Sequence, residues 1–185
     1  LAIDRLDWVD GAPVVRGPTS APQPAPAAPQ IVGFAAFERA EGVEADADRL
    51  VLSPHLGEGV ARLAVPAGRF LVEVSVQALG ANPVGELGLQ LCRGAEVLAD
   101  LSLTAIDGSA AVKLAGDDAR ALPVGFDLGV LHRLQLDVDG DRATLQVDPP
   151  VTRVPMPLAE RPTHLCLTAV GVRAAFVGFA LTAGF

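Results

Sequence analysis

Residues 132–148, HRLQLDVDGDRATLQVD, constrain the fold more than any other stretch of this chain. Leu134, Leu136 and Val138 alternate with Arg133, Gln135 and Asp137. Beyond Asp139-Gly140, Ala143, Leu145 and Val147 alternate in the same way. Side chains along a strand point to opposite faces in turn, so each half carries one apolar and one polar face. Asp-Gly between two such halves favours the primed turns of a tight hairpin. The predicted unit is a β-hairpin with Leu134, Leu136, Leu145 and Val147 buried and Asp139-Gly140 at an exposed tip. A sheet with one apolar face must bury it against a second layer.

Further strands follow from the same pattern. Residues 70–77, FLVEVSVQ, set Phe70, Val72, Val74 and Val76 against Leu71, Glu73, Ser75 and Gln77. Shorter apolar runs at 87–91, 97–103, 110–114, 163–169 and 173–182 are punctuated by Gly, Asn-Pro or Asp-Gly. Residues 38–48 tolerate a helix, but Gly42-Val43 interrupts it, and no stretch has a helical stripe with caps. Many short strands with turn chemistry between them predict an all-β, antiparallel two-sheet sandwich with little helix.

The N-terminal part reads differently. Residues 1–15, LAIDRLDWVDGAPVV, are apolar and strand-like, and they precede the spacer SAPQPAPAAP at 20–29. Proline removes a backbone donor, and spacers of this composition separate folding units. The predicted division is 1–17, the end of another domain; 18–30, a Pro/Ala-rich linker; and 31–185, the sandwich. The chain opens on Leu1 rather than Met, so the reading expects an N-terminus lost upstream, with any secretion signal. Secreted and cytoplasmic locations both remain open.

Charge narrows the partners. The net charge is −8 with a single lysine, Lys113, which argues against a nucleic-acid surface and against docking on anionic lipid. No apolar run approaches the ~20 residues of a membrane span. Cys92 and Cys166 sit in apolar runs and read as two buried thiols, with a disulfide left open.

Two resemblances add to this reading. Leu6, Trp8, Asp10, Gly11, Pro13, Val14 and Val15 resemble the closing strand of the catalytic β-propeller in glycoside hydrolase family 43, although Ala12 stands where an aromatic is usual. Leu131, His132, Leu134, Gly140, Asp148, Leu165, Leu167, Ala175, Phe176, Phe179 and Leu181 resemble the last strands of concanavalin A-like jelly rolls, with Pro149-Pro150 replacing the usual glycine. Such sandwiches are C-terminal partners of many family 43 glycosidases. The resemblance implies a non-catalytic accessory domain of an enzyme acting on arabinose- or xylose-containing glycans. Its partners would be the upstream propeller of the same polypeptide and a plant or microbial polysaccharide. Leu6, Trp8, Val14 and Val15 would supply the interdomain packing. A stand-alone lectin-like binding module is the alternative.

The residues that chemistry would need are sparse. Asp137, Asp139 and Asp141 suggest a calcium loop, but the segment lacks a distal bidentate glutamate, and a solvated hairpin tip is the simpler reading. A structural calcium ion is compatible with the resemblance at no assigned site, and no other cofactor is expected. Asp117-Asp118 reads as a polar turn. Glycosidases need two carboxyl groups about 5 Å or 6.5–9.5 Å apart. No distinctive motif places such a pair here, so no catalytic residue is assigned; Glu73 has only Ser75 and Gln77 beside it on its face. His55, His132 and His164 are scattered, with His132 expected to make a hydrogen bond at the sheet rim. Sugar-binding modules stack Trp or Tyr on pyranose rings. The sandwich has neither, and its seven Phe mostly fall at core-like positions, leaving at most one or two free to stack. Phe176 and Phe179, three apart on one strand, are expected to face opposite sides of the sheet.

Overall fold

The computed structural model describes residues 6–9, 12–15, 27–39, 42–54, 57–80, 84–106, 109–113, 119–122, 126–148 and 152–184; for 6–9 and 12–15 it describes the backbone pairing alone. These residues form strands and connections, with no helix among them. The strands are β1 (Leu6–Val9), β2 (Ala12–Val15), β3 (Ile31–Val32), β4 (Glu38–Arg39), β5 (Val43–Ala45) and β6 (Arg49–Leu52). They continue as β7 (Glu58–Ala64), β8 (Phe70–Leu79), β9 (Gly85–Arg93), β10 (Glu96–Ile106), β11 (Ser109–Lys113) and β12 (Ala119–Ala121). The last are β13 (His132–Asp139), β14 (Arg142–Val147), β15 (Thr152–Pro157), β16 (His164–Val170) and β17 (Arg173–Ala183).

Two antiparallel sheets make the sandwich. The seven-stranded sheet runs β12-β11-β10-β9-β16-β7-β4, and the eight-stranded sheet runs β15-β14-β13-β8-β17-β6-β5, with β3 also on β17. The long strands β7, β8, β9, β13, β14, β16 and β17 contribute their apolar alternates to the space between the sheets. In β8 these are Phe70, Val72, Val74 and Val76, at most 1% exposed, as the sequence pattern requires. The stretch read as helix-tolerant instead supplies the short strands β4 and β5, one to each sheet.

The hairpin forms as expected, with one correction. Leu134, Leu136, Leu145 and Val147 are fully buried. Asp139 pairs with Arg142, however, so the turn centres on Gly140-Asp141 rather than Asp139-Gly140. Gly140 has φ +62 and is the only one of the two with positive φ. Positive φ at the first central position alone is the type II′ pattern, which glycine adopts freely.

A second correction concerns β17. Phe176 and Phe179 are both fully buried, not on opposite sides. The register on β8 slips between Val177 and Ala180, where three residue steps on β17 match two on its partner. Gly178 is the exposed extra residue, with φ +66, and its N–H donates to Asp48 O at 3.1 Å. This is a β-bulge. It sits where β17 changes edge partner, from β6 at residues 174–177 to β3 at 180–181.

At the other end of the chain, β1 and β2 pair with each other in a two-stranded sheet, Leu6 opposite Val15 and Trp8 opposite Pro13. The sequence reading had one extended run here; the backbone makes two strands. Asp10 and Gly11, between them, lie outside the described residues, as do residues 18–26 of the stretch expected to be a linker. Residues 27–30 have no regular structure. Gln30 N–H donates to Leu181 O at 2.8 Å, so residues 27–30 reach the sandwich along β17.

Candidate functional site

The outer face of the seven-stranded sheet carries an unusual set of side chains. Leu87, Leu89, Leu101, Leu103, Leu165 and Leu167 point into the core and are fully buried. Their alternates therefore face outward: Gly88, Gln90 and Cys92 on β9, Ser102 and Thr104 on β10, His164, Cys166 and Thr168 on β16, and Arg62 on β7. The register lines them up, with Gly88 between Ser102 and Thr168, and Cys166 between Gln90 and Arg62. The middle of this face is small, neutral and polar. Ser102 and Thr168 are only 2% and 3% exposed although they point away from the core.

Part of this polarity is satisfied. Ser102 Oγ donates to Asp100 Oδ1 at 2.6 Å. Arg62 Nη2 donates to Gly94 O at 2.6 Å and lies 3.0 Å from His164 Nδ1, which accepts because a guanidinium has only donors. Thr163 Oγ1 also lies 2.8 Å from that nitrogen. Two atoms are not satisfied. Arg62 Nε and Thr104 Oγ1 are buried without a hydrogen-bond partner. A buried polar atom left unpaired costs about 1–3 kcal/mol, so native folds rarely keep one without a use.

The face runs into an open cleft of about 570 Å³ at the sandwich end, where the connections after β7, β9 and β15 meet. Val65, Ala67 and Pro162 give it an apolar side; Arg93, Glu160 and Arg161 give it a polar one. Arg93 pairs with Glu160, and Arg161 Nη1 donates to Ala67 O at 3.0 Å. Thr163 belongs both to the cleft and to the His164 cluster. Volumes of this order suit a small polar ligand or a chain end.

Cys92 and Cys166 lie on the same face, buried, with Sγ atoms 3.6 Å apart. Burial first, then the neighbouring Cys92, push the Cys166 thiol up to about 12, against the opposing influence of Arg62. An acid whose folded value is raised keeps its proton in the folded state after the unfolded chain has lost it. The unfolded state then binds fewer protons, and stability falls as pH rises above the ordinary thiol range of about 8.5. Urea titrations between pH 8 and 11 should show this decline, with a slope of at most ~1.4 kcal/mol per pH unit. Cys166→Ser should flatten it; an unchanged slope would assign the decline elsewhere.

His132, 6% exposed, closes a clamp: Nε2–H donates to Asp127 O at 2.7 Å and Nδ1 lies 2.5 Å from Asp148 Oδ2. Asp148 Oδ1 accepts from Arg133 N–H at 2.7 Å, and Phe126 stacks on the imidazole with centroids 3.9 Å apart. Two residues picked out by the jelly-roll resemblance, sixteen positions apart, thus meet in space. Asp137 is held by Arg69 at 2.8 Å, while Asp139 and Asp141 are exposed at the hairpin tip. Glu73 pairs with Arg133. No group of three or more His, Cys, Asp or Glu is gathered for a metal among the described residues. Asp117, Asp118, His55 and Phe185 lie outside them, as do the side chains of Leu6, Trp8, Val14 and Val15. Phe34, Phe37, Phe70, Phe176 and Phe179 are in the core, and Phe126 is covered by His132. Arg62, Gln90 and Thr104 were not singled out from the sequence.

No family model matches the chain, and no curated protein matches it. Solved structures do. A sialidase superposes with a TM-score of 0.59 at 11% identity, over 80% of this chain and 16% of that one. The carbohydrate binding module CBM66 from Bacillus subtilis gives 0.58 at 12% identity, over 81% of this chain and 97% of that one. The metal-free carbohydrate recognition domain of Emp46p gives 0.55 at 15% identity, over 82% and 90%. The fold is the concanavalin A-like jelly roll; at these identities the likeness extends to the fold alone.

Proposed function

We propose that this chain is a non-catalytic, glycan-contacting accessory domain of a glycoside hydrolase, and that the outer face of the seven-stranded sheet with its adjoining cleft is where glycan touches it. The observation that carries the reading is two buried, unpartnered polar atoms, Arg62 Nε and Thr104 Oγ1, at separate places on one sheet face whose middle is small and polar. Sugar hydroxyls both donate and accept, so one ligand class can satisfy an orphan donor and an orphan hydroxyl together. The sialidase likeness, confined to 16% of that chain, supports an appended domain.

The finer assignment rests on the N-terminal residues. Leu6, Trp8, Val14 and Val15 would pack the sandwich on a family 43-type propeller acting on arabinose- or xylose-containing glycans, with that propeller carrying the catalytic carboxylates. The alternative, a stand-alone lectin-like module, draws support from the match to CBM66 over 97% of its length.

Affinity electrophoresis of the full chain in gels containing arabinan, arabinoxylan or xylan tests the contact. Retardation is expected in at least one, with a several-fold loss for Arg62→Ala. Equal mobility in all three would remove the contact. Turnover of an aryl arabinofuranoside that is lost on mutating a sandwich carboxylate would replace the accessory reading with a catalytic one.

A further inference from the structure

We infer that Cys92 and Cys166 are a thiol–disulfide exchange site, a reversible cross-link between β9, the central strand of the seven-stranded sheet, and its neighbour β16. The two sulfur atoms belong to positions 74 residues apart, yet they lie 3.6 Å from each other. β9 and β16 are hydrogen-bonded neighbours in the middle of the sheet. Cys92 is opposite His164 and Cys166 is opposite Gln90, so the cysteines are diagonal neighbours on one face. That face points away from the core. A bond between them therefore needs no apolar side chain to move out of the space between the sheets.

The diagonal placement decides what kind of bond this is. A disulfide is about 2.05 Å long, so closure asks the sulfurs to approach by roughly 1.6 Å. Diagonal partners in an antiparallel pair lie about 7–8 Å apart at Cα, whereas disulfides usually span about 4.4–6.8 Å. Rotation of both side chains brings the sulfurs part of the way, and a small shear of β9 on β16 supplies the rest. A diagonal pair sits at or beyond the upper edge of the usual disulfide span, and disulfides closed under such strain are the readily reduced ones. The pair is thus suited to switching between two states rather than to permanent stapling. This inference does not depend on the glycan reading.

With a small disulfide such as oxidised glutathione as the oxidant, the step balances. One cysteine gives up its proton and its thiolate attacks a glutathione sulfur, forming a mixed disulfide and releasing one glutathione thiolate. The second cysteine, deprotonated in turn, attacks the protein sulfur of that mixed disulfide and expels the second glutathione. Two protein thiols are oxidised, one glutathione disulfide is reduced to two thiols, and both protons end on glutathione.

The test is to hold the full chain at graded ratios of reduced to oxidised glutathione until its composition is constant, then quench in acid, alkylate and weigh the intact protein. The expected result is a species lighter by two hydrogens and alkylated at neither cysteine, half-formed within the series and reversed by reduced glutathione. Cys92→Ser should never yield it. Two alkylated thiols at the most oxidising ratio would overturn the inference. So would a stable adduct carrying one glutathione, a dimer linked between chains, or a bond that excess reduced glutathione leaves intact in the native protein.

Discussion

Replacing His132 with alanine is expected to lower the unfolding free energy by about 2–4 kcal/mol, a fall in melting temperature of about 5–15 °C for a domain of this size. The imidazole is buried and bonded on both nitrogens, to Asp127 O and to Asp148 Oδ2. Its removal strands a carbonyl and a carboxylate oxygen and uncovers Phe126. Asp148 adds to the cost, because it holds φ +42, a region that non-glycine residues enter only with support. That support is local: its N–H donates to Arg133 O at 2.8 Å, and its two carboxylate oxygens hold Arg133 N–H and His132. Asp148→Gly keeps the backbone shape and deletes the carboxylate, so it should cost less than His132→Ala. Combining the two should cost clearly less than their sum, by 1 kcal/mol or more, because both break the same bond. Urea unfolding of the two single variants and the double variant measures this. Additive losses would mean that His132 and Asp148 do not act as a unit.

That clamp shows how much of the fold is legible along the chain. The alternation of Phe70–Val76 and of Leu134–Val147 predicts which side chains are buried, because pleat and burial share one period. His132 and Asp148 could be marked by resemblance, but their bond follows from the hairpin register, which brings Leu134 opposite Val147 and so places the residues beyond them side by side. The short strands β4 and β5 were not legible. Their two and three residues are extended because β7 and β6 pair with them, not because of a local preference.

The outer face of the seven-stranded sheet was harder to read. Within β9, Leu87, Leu89 and Leu91 alternate with Gly88, Gln90 and Cys92, so a polar face is visible in one strand. Its neighbours come from elsewhere: β10 next to it in sequence, β16 far downstream, and β7 upstream beside β16. Cys166 meets Arg62 and Cys92 only through that pairing. Local pattern fixes a strand's faces, but strand order decides which residues share a surface. The orphaned Arg62 Nε and Thr104 Oγ1 cannot be recognised until that order is known.

Phe179→Ala should cost about 3–5 kcal/mol. Phe179 is fully buried against Phe37, edge to face at 4.9 Å, and against Phe34 at 5.9 Å. A regular strand carrying Phe176 inward would turn Phe179 out; the bulge at Gly178 turns it in. An isolated glycine inside an apolar strand is the signal that could have revealed this. The register makes a sharper test than the truncation alone. Since the bulge holds one residue too many, deleting Gly178 leaves Phe176, Phe179 and Leu181 in an unbroken inward alternation against β8. The cost should be only that of the lost bond to Asp48 O and of reduced local twist, about 1–2 kcal/mol. Deleting Ala180 instead keeps the bulge and throws Leu181 outward, and it should abolish cooperative unfolding. Thermal melts of the three variants would rank them: Gly178 deletion mildest, Phe179→Ala severe, Ala180 deletion unfolded. If deleting Gly178 proved as damaging as deleting Ala180, the extra residue would not be where the register places it.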